Sequence, residues 1–265
     1  MLPPMPELPE VEVFRRLAER GALKRPVVAV RATAATRILD EMSLKSLRGA
    51  LIGKAFTGTD RHGKHLLLRI ARDGVLGMHF GLTGELVAGA GEPPAKARLS
   101  VLLTGDHHLA VIDPRQFGRV SLAQDAQAYR AAHALGPDAL AVERGEFTTA
   151  LGRRRGALKA ALMDQSLIAG VGNVYADEIL FQSGLHPQRS VASLDERERI
   201  VLHRNLHTVL ARAIEHDADP AALPQGWLLP ARKAGGDCPR CATRLASGSV
   251  GGRTTYWCPG CQASR

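Results

Sequence analysis

The chain has 265 residues, which is long enough for two or more domains with their own hydrophobic cores. No apolar run approaches the ~20 residues of a membrane-spanning helix, and no basic region followed by an apolar stretch indicates a signal peptide, so we expect a cytoplasmic protein without a membrane partner. The net charge of +9 favours a polyanionic partner, and an aromatic content of 4% is low for stacking single-stranded bases, which favours duplex DNA.

The first predicted element is a helix near the N-terminus. Pro9 suits the first position of a helix, and Gly21 is the expected stop. Between them, apolar residues recur at every third position, as on a buried helix face: Val11, Phe14 and Leu17.

Pro6 precedes this helix and directly follows Met5. If the chain starts at Met5 and that methionine is removed, the Pro6 nitrogen becomes a free secondary amine, which is a good nucleophile. An α-amino group titrates near pH ~8, so a useful fraction is unprotonated at neutral pH. With residues 1–5 in front of it, the same nitrogen is an unreactive tertiary amide. We expect Met5 to be the true start, because a methionine followed by proline is readily removed.

Short β-prone runs, separated by turn residues, follow up to residue 122. They are residues 27–31, 54–60, 64–70, 75–79, 99–103 and 109–112. A loop rich in Gly and Pro is expected at 88–94. Frequent short strands with tight turns predict a β-sandwich.

Past residue 123 the pattern becomes helical. Leu158, Leu162 and Met163 repeat at helical spacing, and a Gly- and Pro-bearing linker is expected at 217–236. Further helices are predicted at 174–182 and 194–214. The predicted fold class is therefore α+β with several domains: a β-sandwich with a leading helix at 6–122, a helical domain at 123–230 and a cysteine-bearing module at 231–265.

All four cysteines lie in that last module, as two Cys-x2-Cys pairs: Cys238 with Cys241, and Cys258 with Cys261. Two such pairs in a short basic segment are typical of a zinc site with four thiolate ligands. Disulfides are the alternative, but a chain without a secretion signal should keep its thiols reduced. Because four protein ligands leave no position for water, we expect one Zn²⁺ with a structural role. The segment is short and has little core, so the metal should supply most of its folding energy.

Five short motifs occur along the chain in a fixed order. They are Pro6-Glu7, Arg61-His62-Gly63-Lys64, Asp113-Pro114-Arg115-Gln116-Phe117-Gly118, Gly170-Val171-Gly172-Asn173 and Gly252-Arg253-Thr254-Thr255. Together with the four cysteines they resemble the formamidopyrimidine-DNA glycosylase and endonuclease VIII family, whose members excise oxidised bases and then cut the strand. The resemblance covers residues 5–262 and implies a helix–two-turns–helix motif in the helical domain and the family's zinc finger in the tail.

The resemblance implies four catalytic residues. The amine of Pro6 would attack C1′ of the damaged nucleotide and form an iminium, and Glu7 would be the acid or base that opens the sugar or protonates the departing base. Lys64 would contact a phosphate beside the damage and assist elimination, and Arg253 would bind the surrounding phosphates and act in the second, δ-elimination step. Taken alone, Glu7 reads as a solvated carboxylate and Lys64 as a solvated turn lysine.

The resemblance also implies a flipped nucleotide and side chains that fill its place in the duplex. Arg115 would hydrogen-bond the orphaned base and Phe117 would wedge into the stack, while Leu82 stands where the family has an intercalating methionine. Further residues that resemble DNA-approaching positions of the family are Arg98, Arg155, Lys159 and Asn173. Taken alone, Phe117 would belong to the core, Asn173 to a helix cap, and Arg155 and Lys159 to a solvated face.

Two features depart from the family pattern. Residues 1–4 precede the expected start, so the chain needs a start at Met5 or processing, or it is a non-catalytic relative. The segment before Cys238 is short, and residues 226–232 replace the longer loop and the Tyr-Gly-Arg run of members that recognise 8-oxoguanine. The preferred lesion therefore stays open among 8-oxoguanine, oxidised pyrimidines and open-ring purines.

The predicted function is base excision from damaged DNA, followed by cleavage of the abasic site through β,δ-elimination. The expected partner is double-stranded DNA with damaged bases or abasic sites, bound by a monomer that associates with the nucleoid of a bacterial-type cytoplasm. One alternative is a damaged-DNA-binding relative without chemistry. A second, a zinc-ribbon protein of the ribosome or transcription machinery, accounts for the charge and the cysteines but leaves Pro6, Glu7 and Asn173 unexplained.

Overall fold

The computed structural model describes residues 5–33, 36–39, 42–71 and 74–263. Residues 1–4, on which the question of the start depends, lie outside the described residues, as do residues 264 and 265. The chain folds into two compact units, the first ending at Ala134 and the second beginning at Leu135. The second unit holds both the helical segment and the four cysteines, and the predicted domain boundaries at 123 and 231 stay predictions. In the described part of the chain, no helix is long and apolar enough to cross a membrane.

The leading helix, α1, spans Leu8–Ala22 with Pro9 in its first turn, as the sequence predicts. It does not end at Gly21. A Cβ at Gly21 would lie 2.8 Å from the Cβ of Ala88, so the glycine permits a close approach between the last turn of α1 and a strand.

The predicted sandwich is confirmed, with two antiparallel four-stranded sheets within the described residues of the first unit. One sheet has the order β2 (Phe56–His62), β3 (His65–Ile70), β4 (Val75–His79), β8 (Arg119–Ala123), and the other has the order β1 (Val27–Ala32), β6 (Leu99–Leu103), β7 (His107–Ile112), β5 (Glu85–Ala90). Residues of both sheets, such as Leu68 and Val101, share one hydrophobic core with Val11 of α1. The helix therefore closes the core of the sandwich.

Several elements of this unit were not predicted, and they include two strands and a short helix. Strand β5 includes residues 88–90, which the sequence pattern assigns to a loop. Ala and Gly have little β-propensity, so this part of the strand depends on its pairing with β7. Strand β8 is held by pairing with β4. Helix α2 (Leu44–Leu51) has a local signal, since the Ser43 hydroxyl caps it and Leu47 and Leu51 are buried one turn apart.

Helix α3 (Ala126–Ala132) completes the first unit and packs against β4 and β8. Its Tyr129 lies over Gly77 of β4, where a Cβ would come within 2.0 Å of the tyrosine ring. The absence of a side chain at Gly77 thus lets the phenol ring reach the sheet.

The second unit is helical, followed by a hairpin. Its elements are α4 (Arg144–Gly152), α5 (Leu158–Met163), α6 (Asn173–Ser183), α7 (Glu196–Glu215), β9 (Ala246–Val250) and β10 (Arg253–Trp257). The connection between α5 and α6 is organised by Gln165, whose side chain donates to the carbonyls of Met163 and Val171 and accepts from the Gly170 N–H. One glutamine therefore ties the end of α5 to the residues just before α6.

The predicted linker at 217–236 is docked rather than extended. It contains 3-10 turns at Pro220–Ala222 and Leu229–Ala231, and Leu228 is fully buried. The carboxylate of Glu178 on α6 accepts a hydrogen bond from the Leu229 N–H at 2.8 Å. The segment that leads into the cysteines is thus fastened to α6.

Candidate active site and metal centre

Glu7 is fully buried at the N-terminus of α1, and Pro6 beside it is buried as well. The Glu7 N–H donates to the Glu10 carboxylate at 2.9 Å, and the two residues form a capping box. Glu7 is therefore not the solvated carboxylate that its sequence position alone suggests. Its carboxylate is held out of water by the capping box, in the residue that follows Pro6, so an acid or base directly follows the candidate nucleophile in the chain.

Lys64 lies in the tight turn between β2 and β3, where His62 pairs with His65. Gly63 has a φ of 55°, the left-handed value that suits the first position of such a turn. The turn is tied to α1, because Arg61 donates to the Gly63 carbonyl at 3.2 Å and forms an ion pair with Glu12 at 3.3 Å. Lys64 is thus held close to the helix that begins beside Pro6.

A second group of side chains organises the two loops that carry Leu82 and Phe117. The fully buried carboxylate of Asp113 accepts hydrogen bonds from the Thr83 hydroxyl at 2.8 Å and from the Gly118 N–H at 2.7 Å. Because Thr83 follows Leu82 and Gly118 follows Phe117, Asp113 holds the two predicted wedge loops together. The sequence motif included Asp113 but gave it no role.

The tip of the loop that carries Phe117 is exposed, whereas Leu82 on the other loop is half-buried. Phe117 is 45% exposed, so it is not the core residue that its type alone suggests, and the exposed Arg115 stacks over its ring. Arg98 is half-buried, and its Nε donates to the Asp113 carbonyl at 3.2 Å. This bond ties Arg98 to the start of the loop, and its predicted contact with DNA stays a prediction.

A histidine cluster next to the Lys64 turn was missed by the sequence analysis. His65 and His79 are direct partners across β3 and β4, and His65 Nδ1 lies 3.0 Å from the Tyr129 hydroxyl. Burial, with further contributions from nearby cationic and imidazole groups that include Lys64, lowers the pKa of His65 to about 2 and that of His79 to about 4. Both imidazoles are therefore neutral at physiological pH. The sequence could have indicated this cluster, because His65 and His79 belong to two consecutive predicted strands that an antiparallel hairpin places side by side.

The second unit differs from expectation at Lys159. Its side chain has no exposed surface, and its Nζ lies 2.7 Å from the Asp177 carboxylate, 2.7 Å from Asn173 Oδ1 and 2.7 Å from the Thr255 hydroxyl. It is neither on a solvated face nor at a surface where it could touch a phosphate. Lys159 is a buried anchor of the unit.

Asn173 is the first residue of α6, and the cap position is Gly172. Its side-chain oxygen accepts from Lys159, so its N–H₂ group points away from that ammonium. Arg253 is exposed at the start of β10, and Arg155 is exposed just before α5. Of the predicted positions in this unit, Arg155 and Arg253 present exposed cations and Asn173 presents an amide donor, whereas Lys159 is buried.

The four cysteine sulfurs lie within 4.8 Å of one another and form a candidate metal centre. Their separations of 3.8 Å between Cys238 and Cys261 and 3.4 Å between Cys241 and Cys258 fit the ~3.8 Å edge of a tetrahedron with Zn–S bonds of about 2.3 Å. All four thiols are free, so the disulfide alternative is not realised. Backbone N–H groups of Arg240 and Cys261 point at Cys238 and Cys258 sulfurs at 3.4 Å, as in metal-binding knuckles.

These features together define a two-part DNA-repair fold with a four-cysteine finger, and comparison identifies the family. Residues 5–120 match the formamidopyrimidine-DNA glycosylase N-terminal domain, and residues 135–223 match the formamidopyrimidine-DNA glycosylase H2TH domain. The chain is 35% identical to the formamidopyrimidine-DNA glycosylase of Herpetosiphon aurantiacus over 98% of its own length and 100% of the relative's. The protein belongs to the formamidopyrimidine-DNA glycosylase family.

Further relatives agree. The Geobacter sulfurreducens formamidopyrimidine-DNA glycosylase is 36% identical over 97% of this chain and 100% of its own. The structure of Lactococcus lactis Fpg in complex with DNA containing an abasic site matches with a TM-score of 0.87 at 27% identity, over 97% of this chain and 100% of that one. The Lactococcus lactis Fpg complex with DNA containing N7-benzyl-Fapy-dG matches with a TM-score of 0.88 at 28% identity, over 98% and 100%.

Proposed function

We propose that the protein is a base-excision repair enzyme that removes oxidised bases from duplex DNA and then cleaves the abasic site. The observation that carries the proposal is the buried Glu7 carboxylate in its capping box beside Pro6. The capping box fixes this carboxylate away from water, and a fixed, buried acid in the residue after a nucleophilic nitrogen suits acid–base chemistry.

The proposed chemistry starts with the Pro6 amine, freed by removal of Met5. Its lone pair attacks C1′, the bond from C1′ to the base breaks, and the base leaves with a proton. The sugar ring then opens as O4′ takes a proton, for which Glu7 is the proposed acid, and the C1′–N bond becomes a cationic iminium. Proline suits this step because a secondary amine forms the cation without losing another proton.

The iminium makes the C2′ protons acidic. Removal of one of them breaks the C3′–O bond and releases the 3′ phosphate, which is β-elimination. Loss of a C4′ proton then breaks the C5′–O bond in δ-elimination. We assign Lys64 to the phosphate next to the lesion and Arg253 to the phosphates whose departure completes the second step.

Access to C1′ requires that the nucleotide leaves the stack, at a cost of a few kcal/mol. Phe117 and Leu82 are the proposed wedges and Arg115 the proposed partner of the orphaned base, all carried by the two loops that Asp113 joins. Arg155, Asn173 and Arg98 are proposed to contact the bound DNA as well, in addition to the phosphate contacts assigned to Lys64 and Arg253.

The four cysteines would hold one Zn²⁺, which shapes the tail and takes no part in the reaction. Cysteine at all four ligand positions leaves no position for a reacting water. A monomeric state and an association with the nucleoid stay predictions. The relatives' names and complexes support Fapy-type and abasic lesions as first substrates to test.

The decisive experiment is borohydride trapping on a duplex with one abasic site, using protein that begins at Pro6. Reduction of an iminium gives a stable covalent adduct. The matched control is the same chain with residues 1–5 retained, in which the Pro6 nitrogen is an amide and no adduct should form. Tight binding by the Pro6-initiated protein without any adduct would instead support the damage-binding relative that lacks chemistry.

A further inference from the structure

The carboxylate of Asp177 lies at the centre of the second unit with no exposed surface. It forms ion pairs with two cations, Lys159 Nζ at 2.7 Å and Arg232 Nε at 2.8 Å. It also accepts a hydrogen bond from the Tyr256 N–H at 3.2 Å. One buried acid thus joins α5, α6, the segment before the cysteines and strand β10.

The first branch of this network leads to Asn173. Lys159 donates to Asn173 Oδ1, and this fixes the amide so that its N–H₂ group faces away from the buried ammonium. A free asparagine side chain could present either end. The lysine, held by Asp177, leaves only the donor end for an anion such as a phosphate.

The second branch leads to Arg253. The Thr255 hydroxyl accepts from Lys159 at 2.7 Å and donates to the Arg253 carbonyl at 3.1 Å. Because β10 pairs with β9 alone among the described strands, its backbone is tied to the helices by side-chain contacts such as these and by the Tyr256 N–H bond to Asp177. The backbone carbonyl of Arg253 is therefore connected to Lys159 through one hydroxyl group.

Arg232 also contacts strand β10. Its Nη2 donates to the Thr254 carbonyl at 3.3 Å, and its guanidinium carbon lies 5.1 Å from the centroid of the Tyr256 ring. Arg232 belongs to the segment that departs from the family's Tyr-Gly-Arg pattern. Its contacts give that shortened segment a role of its own.

We propose that Asp177 and Arg232 are positioning residues that jointly aim the Asn173 amide and the Arg253 guanidinium at the phosphates around the lesion. The inference rests on the proposed function, and it concerns the second elimination step rather than formation of the iminium. Loss of Arg232 should therefore leave attack by Pro6 intact and slow the δ-elimination that depends on Arg253.

The test uses full-length protein that begins at Pro6, with the variants Arg232→Gln and Arg232→Lys, on a duplex containing one abasic site. The measured quantities are the yield of borohydride adduct, the ratio of δ- to β-elimination products and the zinc content. We expect Arg232→Gln to lower the δ-to-β ratio by about tenfold, as a small misplacement of a catalytic group does, with adduct yield and zinc unchanged. Arg232→Lys should recover part of the ratio, since an ammonium can still pair with Asp177.

The matched control is Arg244→Gln, which removes an equal charge from an exposed position in the same tail and should leave the ratio unchanged. An unchanged ratio in Arg232→Gln, when the parent protein gives adduct and both products, would overturn the inference. So would a ratio that falls only together with loss of zinc, because Arg232 would then act by holding the metal segment. Absence of adduct in the parent protein would overturn the proposed function instead.

Asp177→Asn supplies a second, stronger perturbation. It leaves the buried Lys159 without its counter-charge, so a loss of stability is expected along with the altered product ratio. If the folded fraction of this variant keeps the parent ratio of products, Asp177 does not position Arg253 and the proposal is wrong.

Discussion

The guanidinium carbon of Arg115 lies 4.8 Å from the centroid of the Phe117 ring. Two of the side chains that are proposed to enter the duplex are therefore stacked on each other. Gln116 between them has a φ of 55°, which turns the chain so that its neighbours meet on one side. An exposed stack of this kind contributes only about 0.5–1 kcal/mol, so DNA can separate the two groups at low cost.

Arg115→Ala should reduce discrimination between bases opposite the lesion more than it reduces cleavage of abasic DNA. A hydrogen-bonded arginine distinguishes bases by about 1–3 kcal/mol, so we expect roughly a tenfold loss of selectivity or more. Single-turnover excision opposite each of the four bases measures this, with abasic-site cutting as the second assay. Arg204→Ala, an exposed charge on α7, is the control for loss of charge alone. Equal losses in both assays would refute the assigned role.

Gly81→Ala should displace the loops that carry Leu82 and Phe117. Gly81 has a φ of 59°, and a Cβ there would lie 2.5 Å from the carbonyl carbon of Phe117. We expect a loss of about 2–4 kcal/mol in the free energy of unfolding, together with weaker binding to abasic duplex. Urea unfolding and a binding titration measure the two effects.

Gly53→Ala is the matched control for that substitution. Gly53 has a φ of 80° but open space around the position of its Cβ. Its loss should be limited to the backbone cost of about 1–2 kcal/mol, with DNA binding unchanged. If the two variants lose equal stability and Gly81→Ala binds normally, the close packing of the loops has no functional role.

Local patterns predicted much of the sandwich because short β-prone runs bounded by turn residues mark strands wherever they occur. They failed at β5, where Gly89 and its small neighbours become a strand only by pairing with β7. They also placed the end of α1 at Gly21, since the contact with Ala88 that explains this glycine is distant in sequence.

The same distinction holds for the site. The N-terminal motif and the cysteine pairs are local, so they could be read directly from the chain. The burial of Lys159 could not, because its acid Asp177 and its acceptor Thr255 come from other elements and, in the case of Thr255, from 96 residues away. A lysine on a helix surface and a lysine at the centre of a network look alike in sequence.

Cys241→Ser should release the metal and abolish binding to damaged duplex. Three thiolates cannot complete the tetrahedral site, and structural zinc in such small segments contributes about 10–16 kcal/mol of apparent binding energy. Metal content by mass spectrometry and affinity for abasic duplex are the measurements. Ser247→Ala, an exposed change in β9, should keep both. Full affinity without zinc would contradict the assigned role of the tail.

Acid should destabilise the first unit through its buried histidines. Burial lowers the pKa of His65 to about 2 and that of His79 to about 4, both from 6.5. Between pH 6.5 and 4 the unfolded chain therefore binds protons that the folded chain does not, so stability is complete above pH 6.5 and falls as the pH decreases. Each histidine should contribute a slope of about 1.4 kcal/mol per pH unit within that window.

The slope, rather than the absolute stability, is the measurement that isolates this effect. We expect His65→Gln to reduce the slope of the free energy of unfolding against pH by the ~1.4 kcal/mol per pH unit that one histidine contributes, even if it also lowers stability at pH 7. Tyr129→Phe removes the hydroxyl that lies 3.0 Å from His65 Nδ1 and keeps both imidazoles buried, so it should shift stability without changing the slope. Parallel curves for the parent and His65→Gln between pH 6.5 and 4 would mean that His65 already takes up its proton in the folded protein.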